Sequence, residues 1–167
     1  MLSQQTTEKI DYELTKYPAD QRQAAVMSAL RIVQTERGWL SKESISEVAQ
    51  YLGMPEIAAM EVATFYNMYD LAPVGNYKIT VCTNISCMLR DSDEIVDHLK
   101  AKLGIGFNEI TEDGQFCLKE GECMGACGGA PLMIVNNHTM HEFLTPAKVD
   151  VILQDLLQQS SNEEAVK

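Results

Sequence analysis

Apolar residues recur at helical spacing over the first seventy positions. Ile10, Leu14 and Tyr17 fall at i, i+4 and i+7, and Pro18 ends that segment. A second helix, which Asp20 can cap, carries Val26, Ala29, Leu30 and Val33 and stops at Gly38. Ser41 is a good N-cap for a third, with Ile45, Val48, Ala49 and Leu52 inward and Gly53 as its stop. Pro55 suits the first position of a fourth helix through Ile57, Met60 and Val62. That helix runs into an aromatic stretch, Ala63-Thr64-Phe65-Tyr66-Asn67-Met68-Tyr69. Phe65, Tyr66, Tyr69 and Trp39 read as core, with a partner-facing patch as the sharper alternative.

The period changes after Pro73-Val74-Gly75, a turn that sets the boundary between two domains. Tyr77, Ile79 and Val81 alternate with Lys78 and Thr80, a strand leading straight into Cys82. Asp91 to Leu103 is a helix with Ile95, Leu99 and Leu103 on one face and Gly104 as its stop; the acids at its start suit the helix dipole. Asn108–Thr111 and Gln115–Lys119 read as short strands around Glu112-Asp113-Gly114. Leu132–Val135 is a strand, Asn136-Asn137 a turn, and His138–Glu142 the return strand. Thr145-Pro146 opens a last helix with Val149, Ile152, Leu153 and Leu156 inward, and Gln158 onward is expected to fray. The fold class is α+β, with an N-terminal helical bundle (1–73), a mixed domain (74–158) and a polar tail (159–167).

Composition narrows the chemistry. The 167 residues carry a net charge of −11, a poor match to a nucleic-acid backbone. The third helix, Gly53 and the helix opening at Pro55 resemble a helix-turn-helix, but residues 1–72 hold six basic and ten acidic groups and offer no basic recognition face. No apolar run approaches the roughly 20 residues of a membrane span. The N-terminus lacks the basic start and apolar core of a secretory signal, so a reducing cytosol is expected. There, grouped cysteines point to metal or redox chemistry.

Four of the five cysteines form two groups: Cys82-x4-Cys87 and Cys123-x3-Cys127, the second running into Gly128-Gly129-Ala130-Pro131. Five residues on a helix turn through about 500°, so Cys82 and Cys87 converge only from a loop. Gly125, Gly128 and Gly129 point to a loop for the second pair as well. Glycines there let backbone approach sulfur closely and leave N–H groups free to donate to it. A four-thiolate site takes a [2Fe–2S] cluster or zinc. The spacing is neither that of a zinc ribbon nor that of a plant-type ferredoxin, and no C-x-x-C favours thiol exchange. Cys117, beside Phe116 and Leu118, reads as a buried inert thiol, and His98, His138 and His141 as ordinary surface or hydrogen-bonding residues.

Taken with Ala63-Thr64-Phe65-Tyr66, Gly38-Trp39, Glu122-Cys123-x-Gly125-x-Cys127 and Gly129-Ala130-Pro131, these pairs make the chain resemble the thioredoxin-like [2Fe–2S] subunit of NADH:quinone oxidoreductase, the E subunit in bacteria, from about residue 10 to 157. The same family includes diaphorase subunits of NAD-linked hydrogenases and formate dehydrogenases. The resemblance implies a thioredoxin-like domain after the bundle, and a [2Fe–2S] cluster with Cys82 and Cys87 on one iron and Cys123 and Cys127 on the other. By analogy with thioredoxin-like folds, Pro131 is expected in a cis peptide. It also implies a flavoprotein partner of the F type that binds FMN and NADH within a larger NADH dehydrogenase complex. The chain itself shows no G-x-G-x-x-G after a strand and no P-loop, so it is expected to bind no nucleotide. A cytoplasmic place follows, at the cytoplasmic side of the inner membrane only through partner subunits. A free-standing ferredoxin is the alternative, against which the large helical appendage argues.

Overall fold

A computed structural model of the chain describes residues 1–165, with side chains described through Ser160. It divides into two compact units, Met1–Pro73 and Val74–Lys167.

The first unit holds four helices: α1 (Gln4–Leu14), α2 (Val26–Arg37), α3 (Lys42–Leu52) and α4 (Glu56–Phe65). Ser3 and Ser41 cap α1 and α3, each side-chain oxygen accepting from the amide three residues on. Asp20 does not cap α2. The chain enters that helix through a 3-10 turn, Arg22–Ala25, which leaves Asp20 too early to reach its first amides. Gly38 and Gly53 end their helices at φ 83° and 70°, where a side chain would be strained. Ile10, Leu30, Val33, Ile45, Val48 and Leu52 fill the core.

Helix α4 departs from expectation. Its buried stripe is Ala59 and Ala63, while Ile57 is 68% exposed and Met60 and Val62 are half-buried. The aromatic stretch splits likewise. Tyr69 is buried and its hydroxyl donates to the Met27 carbonyl at 2.9 Å. Phe65 and Tyr66 stack edge to face, 5.0 Å between centroids, on the surface, and Trp39 is half-buried. The Gln34 amide holds the segment after α4 in place: it donates to the Met68 carbonyl at 2.9 Å and accepts from the Asp70 amide at 2.7 Å.

The second unit is a four-stranded sheet in the order β2-β1-β3-β4, with β1 (Tyr77–Cys82), β2 (Phe116–Gly121), β3 (Met133–Val135) and β4 (Thr139–His141). β1 and β2 are parallel and the other pairs antiparallel. A single helical turn α5 (Ile85–Met88) precedes α6 (Ser92–Leu103), and α7 (Pro146–Ala165) closes the chain. Ile79, Val81, Leu99, Leu118, Met133 and Val149 form the core.

β1 lies inside the sheet, so its alternation does not separate core from solvent: Lys78 is buried, as are Ile79 and Val81. Asn108–Thr111 forms no strand, only an isolated bridge from Ile110 to Cys117, because its backbone bonds to β2 at single points and then turns at Gly114. Asn136 and Asn137 make the β3–β4 turn at positive φ. The expected fraying after Gln158 is replaced by helix through Ala165, and residues 166–167 of the expected polar tail lie outside the described residues.

Candidate metal centre

β1 and β2 end together, with Cys82 opposite Gly121 on the last rung of the parallel ladder. Both cysteine segments leave the sheet from that edge, the carboxyl ends of parallel strands, where open α/β sheets commonly place their sites. The Cys82 amide donates to the Leu132 carbonyl at 3.1 Å, and the Thr83 amide to the Gly121 carbonyl at 3.0 Å.

Cys87, expected on a loop, lies instead in α5, its amide donating to the Asn84 carbonyl at 2.8 Å. The rotation argument holds only when both residues share one helix. Here the strand end carries Cys82, and one helical turn brings Cys87 back so that the two thiols hydrogen-bond. Burial first, then the Cys82 hydrogen bond, push the Cys87 thiol up to about 11. The side chain is therefore a thiol at neutral pH, and a metal held there would have to displace its proton.

The second pair is open. Cys123 and Cys127 are exposed, their sulfurs 3.9 Å apart, and the Gly125 amide, at φ 78°, donates to the Cys123 sulfur at 3.4 Å. Cys127 begins a 3-10 turn through Gly129, followed by a cis Ala130–Pro131 peptide, as expected for Pro131. Gly129 is tight: a β-carbon there would collide with the Glu142 side chain. Cys82 and Cys87 are buried, packed with Ala130 and Leu132 and flanked by Met124 and Ala126 of the second cysteine segment.

The donor set fits a thiolate-held cluster. Two sulfurs on one tetrahedral metal at about 2.3 Å each stand about 3.8 Å apart, and the Cys123–Cys127 separation matches that. Among the described residues, no three His, Cys, Asp or Glu side chains gather as a site for a single ion. The sulfurs are grouped in twos. Cys117 is buried in β2, about 13 Å back along the strand from Gly121. His98 faces Asp150 at 3.0 Å, and His138 and His141 lie at β4, where burial lowers the pKa of His141.

The profile of the thioredoxin-like [2Fe–2S] ferredoxins matches residues 10–157. The chain belongs to that family. The NADH-quinone oxidoreductase E subunit of Rickettsia bellii is 44% identical over 144 residues, 86% of each chain. NADH-quinone oxidoreductase subunit 2 of Thermus thermophilus is 40% identical over 147 residues, 88% of this chain and 81% of that protein. The second E subunit of Rhizobium meliloti is also 40% identical, over 88% of this chain and 86% of its own. Within the thioredoxin-like ferredoxins, the chain is thus an electron-transfer subunit of the NADH-quinone oxidoreductase type. A crystal structure of an air-oxidised NAD+-reducing [NiFe]-hydrogenase shares the fold at TM-score 0.69 and 21% identity, over 86% of this chain and 24% of that one. The family cofactor is a [2Fe–2S] cluster. Two residues beside the cysteine segments, Asn84 and Gly121, carry almost no signal in the sequence. The sign of the first is a good N-cap residue directly before Ile85, and of the second a glycine at a strand end.

Proposed function

We propose that Cys82, Cys87, Cys123 and Cys127 hold the cluster, and that through it the chain exchanges single electrons with the FMN of a flavoprotein partner during NADH oxidation. When bound, a [2Fe–2S] cluster takes up and returns one electron at a time. NADH releases two electrons as a hydride, so a flavin must stand between the two carriers. The observation that carries this reading is the arrangement of thiols: four, at one edge of the sheet, two buried and two reaching the surface. The buried pair excludes water from one side of the centre, and the exposed pair brings the other side within reach of a partner. The 44% identity to the E subunit of a quinone reductase favours that parent complex over a hydrogenase module.

Among the described residues no helix is long and apolar enough to cross a membrane. As part of the same proposal, membrane attachment is assigned to other subunits, on the cytoplasmic side. Anaerobically purified protein is expected to absorb visible light and to give a rhombic electron-spin signal after strong reduction. It is also expected to copurify with an FMN-containing subunit in fixed proportion. Colourless protein holding only zinc would end this reading.

A further inference from the structure

Asn84 stands at the N-cap position of α5 with extended backbone, φ −68° and ψ 158°, yet its side chain caps nothing. Asparagine at that position ordinarily folds its side-chain oxygen onto the helix amides. Here the amide nitrogen instead reaches across to the other cysteine segment and donates to Glu122 Oε2 at 3.0 Å. Glu122 immediately precedes Cys123. The Asn84 carbonyl meanwhile accepts from the amides of Cys87 and Met88, at 2.8 and 3.0 Å. One residue therefore grips a cysteine of each pair: Cys87 through its main chain and Cys123 through Glu122.

A second bond runs beside it. The Thr83 hydroxyl donates to Glu120 Oε1 at 3.1 Å. The ladder between the two strands ends at Cys82 and Gly121, and the Thr83 amide adds one more bond to the Gly121 carbonyl. Past that rung, the side-chain bonds of Thr83 and Asn84 span the gap between the segments.

We infer that Asn84 and Glu122 form a clasp that positions the two cysteine segments relative to each other, holding the pairs at the separation that the metal centre requires. Asn84 is a positioning residue: it acts through the cysteines on either side. The inference rests on the four-thiol reading above.

The test compares variants of the full chain for the rate at which bound iron passes to a chelator, and for the electron-spin signal of the reduced protein. Asn84→Ser keeps a capping residue but is too short to reach Glu122. Glu122→Ala removes the acceptor, and Glu122→Gln removes the charge while keeping an oxygen to accept. Asn84→Ser and Glu122→Ala are each expected to release iron about tenfold faster, with a broadened signal. The double variant is expected to be no faster than either single one, and Glu122→Gln to stay close to the parent. Release unchanged in Asn84→Ser, additive effects in the double variant, or Glu122→Gln as fast as Glu122→Ala would each overturn the clasp. Parent protein that holds zinc instead of iron and sulfide would sink the electron-transfer reading, while zinc release from the same variants would still decide the clasp.

Discussion

Gly121 sits directly opposite Cys82, and it has no room for a side chain. A β-carbon there would lie 2.6 Å from Thr80 Cγ2, 2.9 Å from Met124 Cε and 3.2 Å from the Val81 carbonyl oxygen. Glycine at 121 lets the segment that carries Cys123 leave the sheet this close to β1; a side chain there would have to displace Thr80 and Met124. Gly121→Ala should destabilise the protein by about 1–3 kcal/mol, the usual cost of overpacking a tight contact. It should also lower the iron bound per chain. Denaturant unfolding and iron analysis of the purified variant check both.

The proposed site uses four of the five cysteines and leaves Cys117 to packing. Cys87→Ser should abolish the visible absorption, because it removes one of four thiolates. Cys117→Ala, at a buried site inside β2, should keep the absorption and cost about 1 kcal/mol, largely from lost packing. Loss of colour in Cys117→Ala would place the fifth thiol in the centre after all.

In the helical unit, Gln34 satisfies two backbone groups of the segment after α4. Gln34→Ala withdraws both partners, and Asp70 is buried there. The expected loss is about 1–3 kcal/mol, measured by urea unfolding. Gln34→Glu, which still accepts from the Asp70 amide, should recover part of it.

Asp150 links α7 to α6. His98 Nε2 lies 3.0 Å and Lys102 Nζ 3.2 Å from its Oδ1. The His98 hydrogen bond first, then that of Lys102, hold the carboxyl below its ordinary 3.8. A carboxyl depressed in the folded state adds stability that is present above the ordinary 3.8 and is lost as pH falls through the depressed value. A carbon-13 titration of the Asp150 carboxyl should show a midpoint below 3.8, and His98→Ala should move it upward.

The helical bundle is legible because Ile10, Leu30, Val48 and their neighbours repeat at helical spacing, and Ser41 and Gly53 mark an end each. Helix α4 escapes that pattern because it buries alanines, which carry little hydrophobic signal, and leaves Ile57 outside. In the second unit, Tyr77–Val81 announces a strand, but nothing local says that the strand lies inside the sheet or that Lys78 is buried in it. The two cysteine pairs of the proposed site stand out in the sequence by spacing and glycine content. The α5 turn does not, since four residues are too few for a period. Asn84 is invisible for a different reason: its partner, Glu122, lies 38 positions away, and no short-range pattern connects them.

The unequal burial of the two thiol pairs fixes the order in which small reagents arrive. A neutral alkylating agent added to metal-free protein should mark Cys123 and Cys127 within the first minutes. Cys82 and Cys87 should react only after the unit loosens. The same order should govern oxidation of metal-free protein in air, which is expected to start at the open pair, Cys123 and Cys127.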